Sequence, residues 1–337
     1  MFSNNSMITT LIDILDCNNC SHGDLNFSKV KYSGNQFSGS IKCKNCNHEY
    51  YFDKNILHNN KTSLKISKTD KRNQYVFPET WKIAPENYNL HKYSEEFDCL
   101  REILKIQSNE LFLDAGCGSG RLMELIAEKK PKFVIFCDVS DSILLAVDRY
   151  MKFYKSCFPA LFIKEDYKNL PLKNNTISNS MSIASIHHTE AQDEAIKSIL
   201  NATTKSFTLC VVTEKKLIGK IWIKANLIKF IINRIGPNKL FIPTASLLAF
   251  MALFLIKVLH YTKFSTLIGL KKVFANVVHD KVYNFQKIRY NMLDLLTAPF
   301  YIKHNDSFYI NNAKQLSFKL EKQLTSSSNE YFLFKKF

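Results

Sequence analysis

The stretch Leu111-Phe-Leu-Asp-Ala-Gly-Cys-Gly-Ser-Gly-Arg-Leu122 constrains this chain more than any other. Leu111, Phe112 and Leu113 read as the end of a buried strand. Gly116, Gly118 and Gly120 follow at alternate positions. Glycine takes a positive φ readily and lets a ligand approach the backbone closely. Leu122, Met123, Leu125, Ile126 and Ala127 then continue as a helix over 121–128. Strand, glycine turn and helix in that order point to an α/β domain with its ligand at the turn. Two nucleotide readings fail on spacing. A dinucleotide site needs a third glycine at position 121, which is Arg121. A P-loop needs Lys-Ser or Lys-Thr after the glycines, and neither follows. What stands is D-x-G-x-G-x-G, with Asp114 supplying negative charge just before the turn.

The α/β pattern repeats downstream. Residues 131–137 form a second apolar run that ends in Asp138, about 20 residues beyond the glycines, where doubly wound folds place the acid that binds ribose hydroxyls. A capping or turn aspartate is the competing reading. Ser140 is the expected N-cap of the next helix. A third strand from Ala160 ends at Asp166, followed by Leu170-Pro171. A fourth spans 177–186 and stops at His187-His188, and a fifth spans 207–213. Ahead of them, Phe97, Leu100, Ile103 and Leu104 recur at helical spacing within 95–106.

Over about residues 95–213 these landmarks resemble class I S-adenosylmethionine-dependent methyltransferases. The resemblance implies a Rossmann-like, seven-stranded α/β sheet and S-adenosyl-L-methionine as cofactor. Asp114, Ala115, Gly116, Cys117, Gly118 and Gly120 would make the first contact with it. Asp138 would bind its ribose and Asp166 its adenine amino group, with Val139, Tyr167 and Ile183 also among the residues that hold it. His187 and His188 stand where the family often carries a histidine pair close to the methyl donor, with His188 the candidate base. Ser178-Asn179 departs from the family's usual Phe-Asp.

Cys17-Asn-Asn-Cys20 and Cys43-Lys-Asn-Cys46 give two C-x-x-C knuckles. Four thiolates so spaced suit a tetrahedral Zn²⁺. The run Leu11–Leu15 leads into the first knuckle, and Glu49-Tyr-Tyr-Phe follows the second as a strand. The pattern resembles the short zinc ribbons often found in front of, or partnering, methyltransferase domains. Such a closed site is structural. The other five cysteines are scattered singly, which argues for a reducing compartment rather than a disulfide framework.

The expected organisation is therefore a zinc-ribbon module at 1–60, a linker or cap at 61–94, and the cofactor-binding core at 95–214. A basic, apolar helical insertion at 215–289 follows, and 290–337 completes the sheet with antiparallel edge strands. The insertion holds 14 Lys and Arg against one acid, Asp280, so it carries 13 of the chain's 16 net positive charges. Its run 245–256 is shorter than the roughly 20 residues a spanning helix needs. Apolar helices flanked by lysines, without acids, match an interfacial membrane helix, and a structural lid buried against the domain is the competing reading.

These features lead to a methyltransferase acting on a small-molecule or lipid-linked acceptor, with peripheral membrane contact through 217–257. The N-terminus shows no signal peptide, so the expected location is cytoplasmic, at the inner face of the membrane. RNA methylation is the alternative, since zinc ribbons also precede the catalytic domain of some ribosomal-RNA methyltransferases. Nucleic acid is the less favoured partner, and no Asn/Asp-Pro-Pro-Tyr sequence occurs. A non-catalytic cofactor-binding partner protein is the third reading, and the intact glycines and acids argue against it. The oligomeric state is not written in the chain.

Overall fold

The computed structural model describes residues 4–21, 24–34, 36–59, 77–78, 81–82, 95–212, 243–244, 246–247, 250–251, 254, 304–326 and 329–337. Helix α1 (Asn4–Ile14) precedes five short strands: β1 (Leu25–Asn26), β2 (Lys31–Ser33), β3 (Gln36–Cys43), β4 (Glu49–Asp53) and β5 (Ile56–Asn59). The α/β core follows with α2 (Glu95–Ile103), β6 (Leu111–Ala115), α3 (Met123–Glu128), β7 (Phe133–Cys137), α4 (Ser142–Arg149), β8 (Ala160–Lys164), β9 (Ile177–Ile183), α5 (Gln192–Ala202) and β10 (Thr203–Val212). Helix α6 (Asp306–Gln315) and strands β11 (Phe318–Thr325) and β12 (Asn329–Lys336) end the chain.

Among the described residues the strands form one twelve-stranded sheet, ordered β1-β3-β4-β5-β8-β7-β6-β9-β10-β12-β11, with β2 paired to β3. From β8 to β10 the pairing is parallel, and β12 and β11 complete the far edge antiparallel, as expected from their sequence. The strand count exceeds the expected seven. The reason is that β5 pairs in parallel with the edge strand β8, through Ile56↔Phe162, Leu57↔Ile163 and His58↔Lys164. The cysteine-bearing hairpins thus extend the core sheet instead of standing beside it. An edge strand is a row of unpaired backbone groups, and covering it removes that liability.

Both faces of the core sheet are covered, so its central strand β7, Phe-Val-Ile-Phe-Cys, reads as an unbroken apolar run. Alternate residues of β7 divide between two clusters: Phe133, Ile135 and Cys137 on one face, Val134 and Phe136 on the other. The first face packs against α1, the cysteine hairpins, α5 and α6. The second packs against α2, α3 and α4, where Phe136 and Phe162 stack at 5.1 Å. Each such fully buried phenylalanine contributes about 1.5–3 kcal/mol. Asn179, the polar departure within β9, is buried and satisfied: it donates to Glu110 and accepts from Ser206 Oγ at 2.7 Å.

Helix ends differ slightly from expectation. Ser140 does not cap α4 as its N-cap; that position is Asp141, though Ser140 Oγ accepts from the Ser142 N–H at 3.2 Å. Of the insertion, residues 243–244, 246–247, 250–251 and 254 are described and helical; the rest of 215–289 lies outside the described residues. Among the described residues no helix is long and apolar enough to cross a membrane.

Candidate functional site

The glycine turn lies at the carboxyl end of β6, where a strand passes into a helix. Gly116, Gly118 and Gly120 all have positive φ, at +82°, +54° and +71°. The N–H groups of Gly116 and Cys117 both donate to the carbonyl of Cys137, at 2.8 and 3.0 Å, which ties the turn to the end of β7. A Cβ on Gly116 would stand 1.8 Å from Ser185 Oγ and 3.4 Å from a ring carbon of Tyr167. Tyr167 in turn donates its hydroxyl to the Ser185 carbonyl at 3.3 Å. The ends of β6, β8 and β9 therefore converge on a few ångströms around Gly116. Ser185 is a site residue that sequence reading missed, because a single serine after a strand carries no signal.

The acids sit as the strand ends dictate. Asp138 accepts from the Gly118 N–H at 2.8 Å through Oδ2 and from Ser140 N–H and Oγ at 2.8 and 2.6 Å through Oδ1. It is both a turn aspartate and a brace for the glycines. A carboxylate offers about four acceptor positions, so one on Oδ2 remains for a ribose hydroxyl. Asp166 caps the short turn Tyr167–Asn169, accepting from the Lys168 N–H at 3.0 Å, and its Oδ2 lies 3.1 Å from Lys168 Nζ. Ala115 and Ile183 are buried, Val139 is half-buried, and burial pushes the Cys117 thiol well above its ordinary range.

Asp114 is buried, and its carboxyl is pushed up to about 8, first by burial and then by the charge of Asp138, with Arg121 acting the other way. Burial also raises Asp138. A buried carboxyl beside a half-buried one is stabilised in its ionised form by a nearby cation, so the pair suits a ligand that carries a sulfonium or ammonium charge. The sign follows directly. A raised folded-state value means the ligand-free fold is most stable with Asp114 protonated, and that stability falls as pH rises from about 4 toward 8. A cationic ligand prefers the ionised form. Affinity for S-adenosylmethionine is therefore expected to rise with pH, by at most about tenfold per unit, and to level off above about 8. Calorimetry between pH 6 and 9 measures this, and Asp114→Asn should flatten the profile. A wild-type profile that is already flat would contradict the assignment.

The two histidines stand on a short turn after β9, with ring centroids 4.2 Å apart. His187 is buried and held well below the usual imidazole range by burial, so it is neutral. His188 is half-buried, and the ring of Phe77 meets it at 4.9 Å. From the same 61–94 segment, the indole nitrogen of Trp81 lies 3.2 Å from where a Cβ of Gly118 would be. Phe77 and Trp81 thus reach the site from the segment read as a linker or cap, though no local pattern singled out these two residues.

The second centre lies at the tips of the cysteine hairpins. Cys17, Cys20, Cys43 and Cys46 place their sulfurs within 4.8 Å of one another. Cys17 and Cys46 are 3.6 Å apart, as are Cys20 and Cys43. Tetrahedral Zn–S bonds of about 2.3 Å need sulfurs about 3.8 Å apart. The donor set and its spacing fit Zn²⁺ with four thiolates and no open position, which is a structural site.

Comparison with known proteins bears on residues 112–206, which match the family described as a methyltransferase domain. The comparison with curated proteins yields no match. Solved structures are similar at low identity. A methyltransferase from Aquifex aeolicus, described as S-adenosylmethionine-dependent, is 10% identical, with a TM-score of 0.44 over 77% of this chain and 98% of that one. The magnesium protoporphyrin IX methyltransferase of Synechocystis, solved with bound S-adenosylmethionine, is 8% identical, with a TM-score of 0.41 over 82% and 86%. The YcgJ protein of Bacillus subtilis is 14% identical, with a TM-score of 0.34, and the match spans 39% of this chain and 57% of that one. Residues 112–206 thus match a methyltransferase domain, and the glycine turn, Asp138 and Asp166 all lie inside that span.

Proposed function

We propose that this protein transfers a methyl group to a lipid or lipid-linked small molecule presented at a membrane surface. One observation carries the reading. Within the basic insertion, Leu247, Phe250, Met251 and Phe254 recur at helical spacing and are all more than half exposed, at 60, 64, 51 and 62%. Four large apolar side chains on one open helical stripe, in a segment with 13 net positive charges, complement an anionic bilayer. A peripheral position at the inner face of a membrane follows from the same reading.

S-adenosylmethionine, when bound, supplies an electrophilic methyl on a sulfonium. The chain's own residues then have two tasks. Asp114, Asp138 and the glycine turn hold the donor still, because transfer from a sulfonium depends mainly on proximity and alignment. His188, at the solvent-facing side of the histidine pair, would accept the acceptor's proton where its nucleophile is weak. Neutral His187 and the Phe77 ring confine that imidazole.

Vesicle flotation tests the substrate class. The full-length protein should float with phosphatidylglycerol-containing vesicles and persist at 0.5 M salt, since apolar insertion is screened far less than charge contacts. Leu247→Asp with Phe250→Asp and Phe254→Asp, on an already exposed stripe, should abolish flotation without unfolding the core. Protein that stays in solution with vesicles, yet binds RNA with an affinity falling steeply with salt, would instead support the nucleic-acid alternative.

A further inference from the structure

The first cysteine knuckle is joined to the segment that carries Asp166 and Tyr167. On the amino side of Cys17 the backbones run antiparallel: Asp16 N–H donates to the Pro171 carbonyl at 3.1 Å, and Lys173 N–H donates to the Ile14 carbonyl at 2.8 Å. Leu15 and Leu172 form a bridge between them. Inside the knuckle, Asn18 donates through Nδ2 to the Asn169 carbonyl at 2.9 Å and lies 3.5 Å from Glu165 Oε2. Asn18 is itself held from behind. Buried Tyr50 donates its hydroxyl to Asn18 Oδ1 at 2.6 Å and accepts from the Asn18 N–H at 3.0 Å. Glu165 is buried, accepts from Asn59 Nδ2 at 2.7 Å, and accepts through Oε1 from the Asp166 N–H at 3.1 Å.

Resting on the cofactor reading above, we propose that Asn18 is a positioning residue that couples metal occupancy of the four cysteines to the grip of residues 165–169 on the cofactor. The physical reason is geometric. Asn18 lies between the ligands Cys17 and Cys20, so metal binding fixes the peptide that bears it. Its amide then fixes the Asn169 carbonyl, at the close of the turn that Asp166 caps and that includes Tyr167. A knuckle without metal loses that fixed geometry, and Asp166 and Tyr167 lose a support on the side away from the core. Coupling of this kind is reciprocal: whatever factor metal adds to cofactor affinity, cofactor adds to metal affinity.

The test measures zinc affinity by chelator competition, with and without saturating S-adenosylhomocysteine, on the full chain. In the wild type the nucleoside should tighten zinc retention by about tenfold, within the usual range of coupling between sites. Asn18→Ala, which removes no ligand, should keep one zinc per chain and a wild-type circular dichroism spectrum. It should reduce the coupling to below about twofold and weaken S-adenosylhomocysteine binding by a similar factor to the coupling lost. Should Asn18→Ala shed its metal, Tyr50→Phe removes only the hydroxyl that orients Asn18 and should show the same loss of coupling. Equal zinc affinity with and without nucleoside, while calorimetry shows the nucleoside bound, would overturn the coupling and leave the cofactor reading intact. Coupling undiminished in the metal-bearing variant would overturn the role of Asn18. No nucleoside binding at all would overturn the cofactor reading, and this inference with it.

Discussion

Gly116→Ala will bind S-adenosylhomocysteine at least about 100-fold more weakly than the wild type, a loss of about 2.7 kcal/mol. Two costs combine. The backbone at +82° is a conformation in which an alanine is strained by about 1–2 kcal/mol. The new methyl would also lie 1.8 Å from Ser185 Oγ and 2.5 Å from its Cβ. The hydroxyl can rotate away, but the Cβ moves only with the backbone after β9, and overpacking of this kind costs about 1–3 kcal/mol. Either the turn or the 184–188 segment must shift, and both face the cofactor. Gly120→Ala is the control. Its nearest neighbour is the end of the Met123 side chain at 2.5 Å, which is flexible, so its effect should be several-fold smaller. Ser185→Gly combined with Gly116→Ala should recover about half of the lost binding free energy, because it removes the clash and leaves the strain. Calorimetry on the four proteins decides the matter. Near-normal binding by Gly116→Ala would mean that the cofactor does not use this turn.

Cys43→Ser will lose its bound zinc and lower the melting temperature by about 10 °C or more, taking the core with the hairpins. Structural zinc contributes about 10–16 kcal/mol to small metal modules, and Cys43 is a fully buried ligand whose loss opens the tetrahedron. In a free-standing module that damage would stay local. Here β5 covers the β8 edge, and one apolar cluster runs from Leu11, Phe37 and Ile41 through Ile135 and Leu161 to Ile199. Losing the hairpins would therefore uncover β8 and part of the core face together. Metal analysis and calorimetric melting measure both effects. A variant whose core melts at the wild-type temperature after losing metal would show the two parts to be energetically separate.

Both predictions rest on tertiary contacts, yet much of the site is legible in the chain. D-x-G-x-G-x-G between an apolar run and a helix excludes a P-loop, because no two of its glycines lie five residues apart and no Lys-Ser or Lys-Thr follows them. Asp138 can be located because it is the first acid after the unbroken apolar run 133–137, which marks a carboxyl end, whereas Asp166 stands second after β8, behind Glu165, and is singled out only by the resemblance. The four cysteines can be assigned to one metal because knuckle spacing is local geometry.

Other features have no local signature. Ser185, Phe77 and Trp81 reach the glycines by folding across tens of residues, and serine or an aromatic side chain in a polar stretch looks like any other. The strength of the shift at Asp114 depends on burial and on Asp138, 24 positions away, which only packing supplies. The seven-stranded core runs from β8 to β11 as expected, but its extension by the five N-terminal strands has no local signature for the same reason. Ile56 and Leu57 are only a short apolar pair in the sequence, and their pairing with β8 is chosen by edge exposure in the assembled sheet. The chain by itself determined the glycine turn, the acids after its strands and the two cysteine knuckles. The three-dimensional packing alone decided that the metal knuckle and the cofactor loop share hydrogen bonds, because those bonds join residues roughly 150 positions apart, beyond the reach of any local pattern.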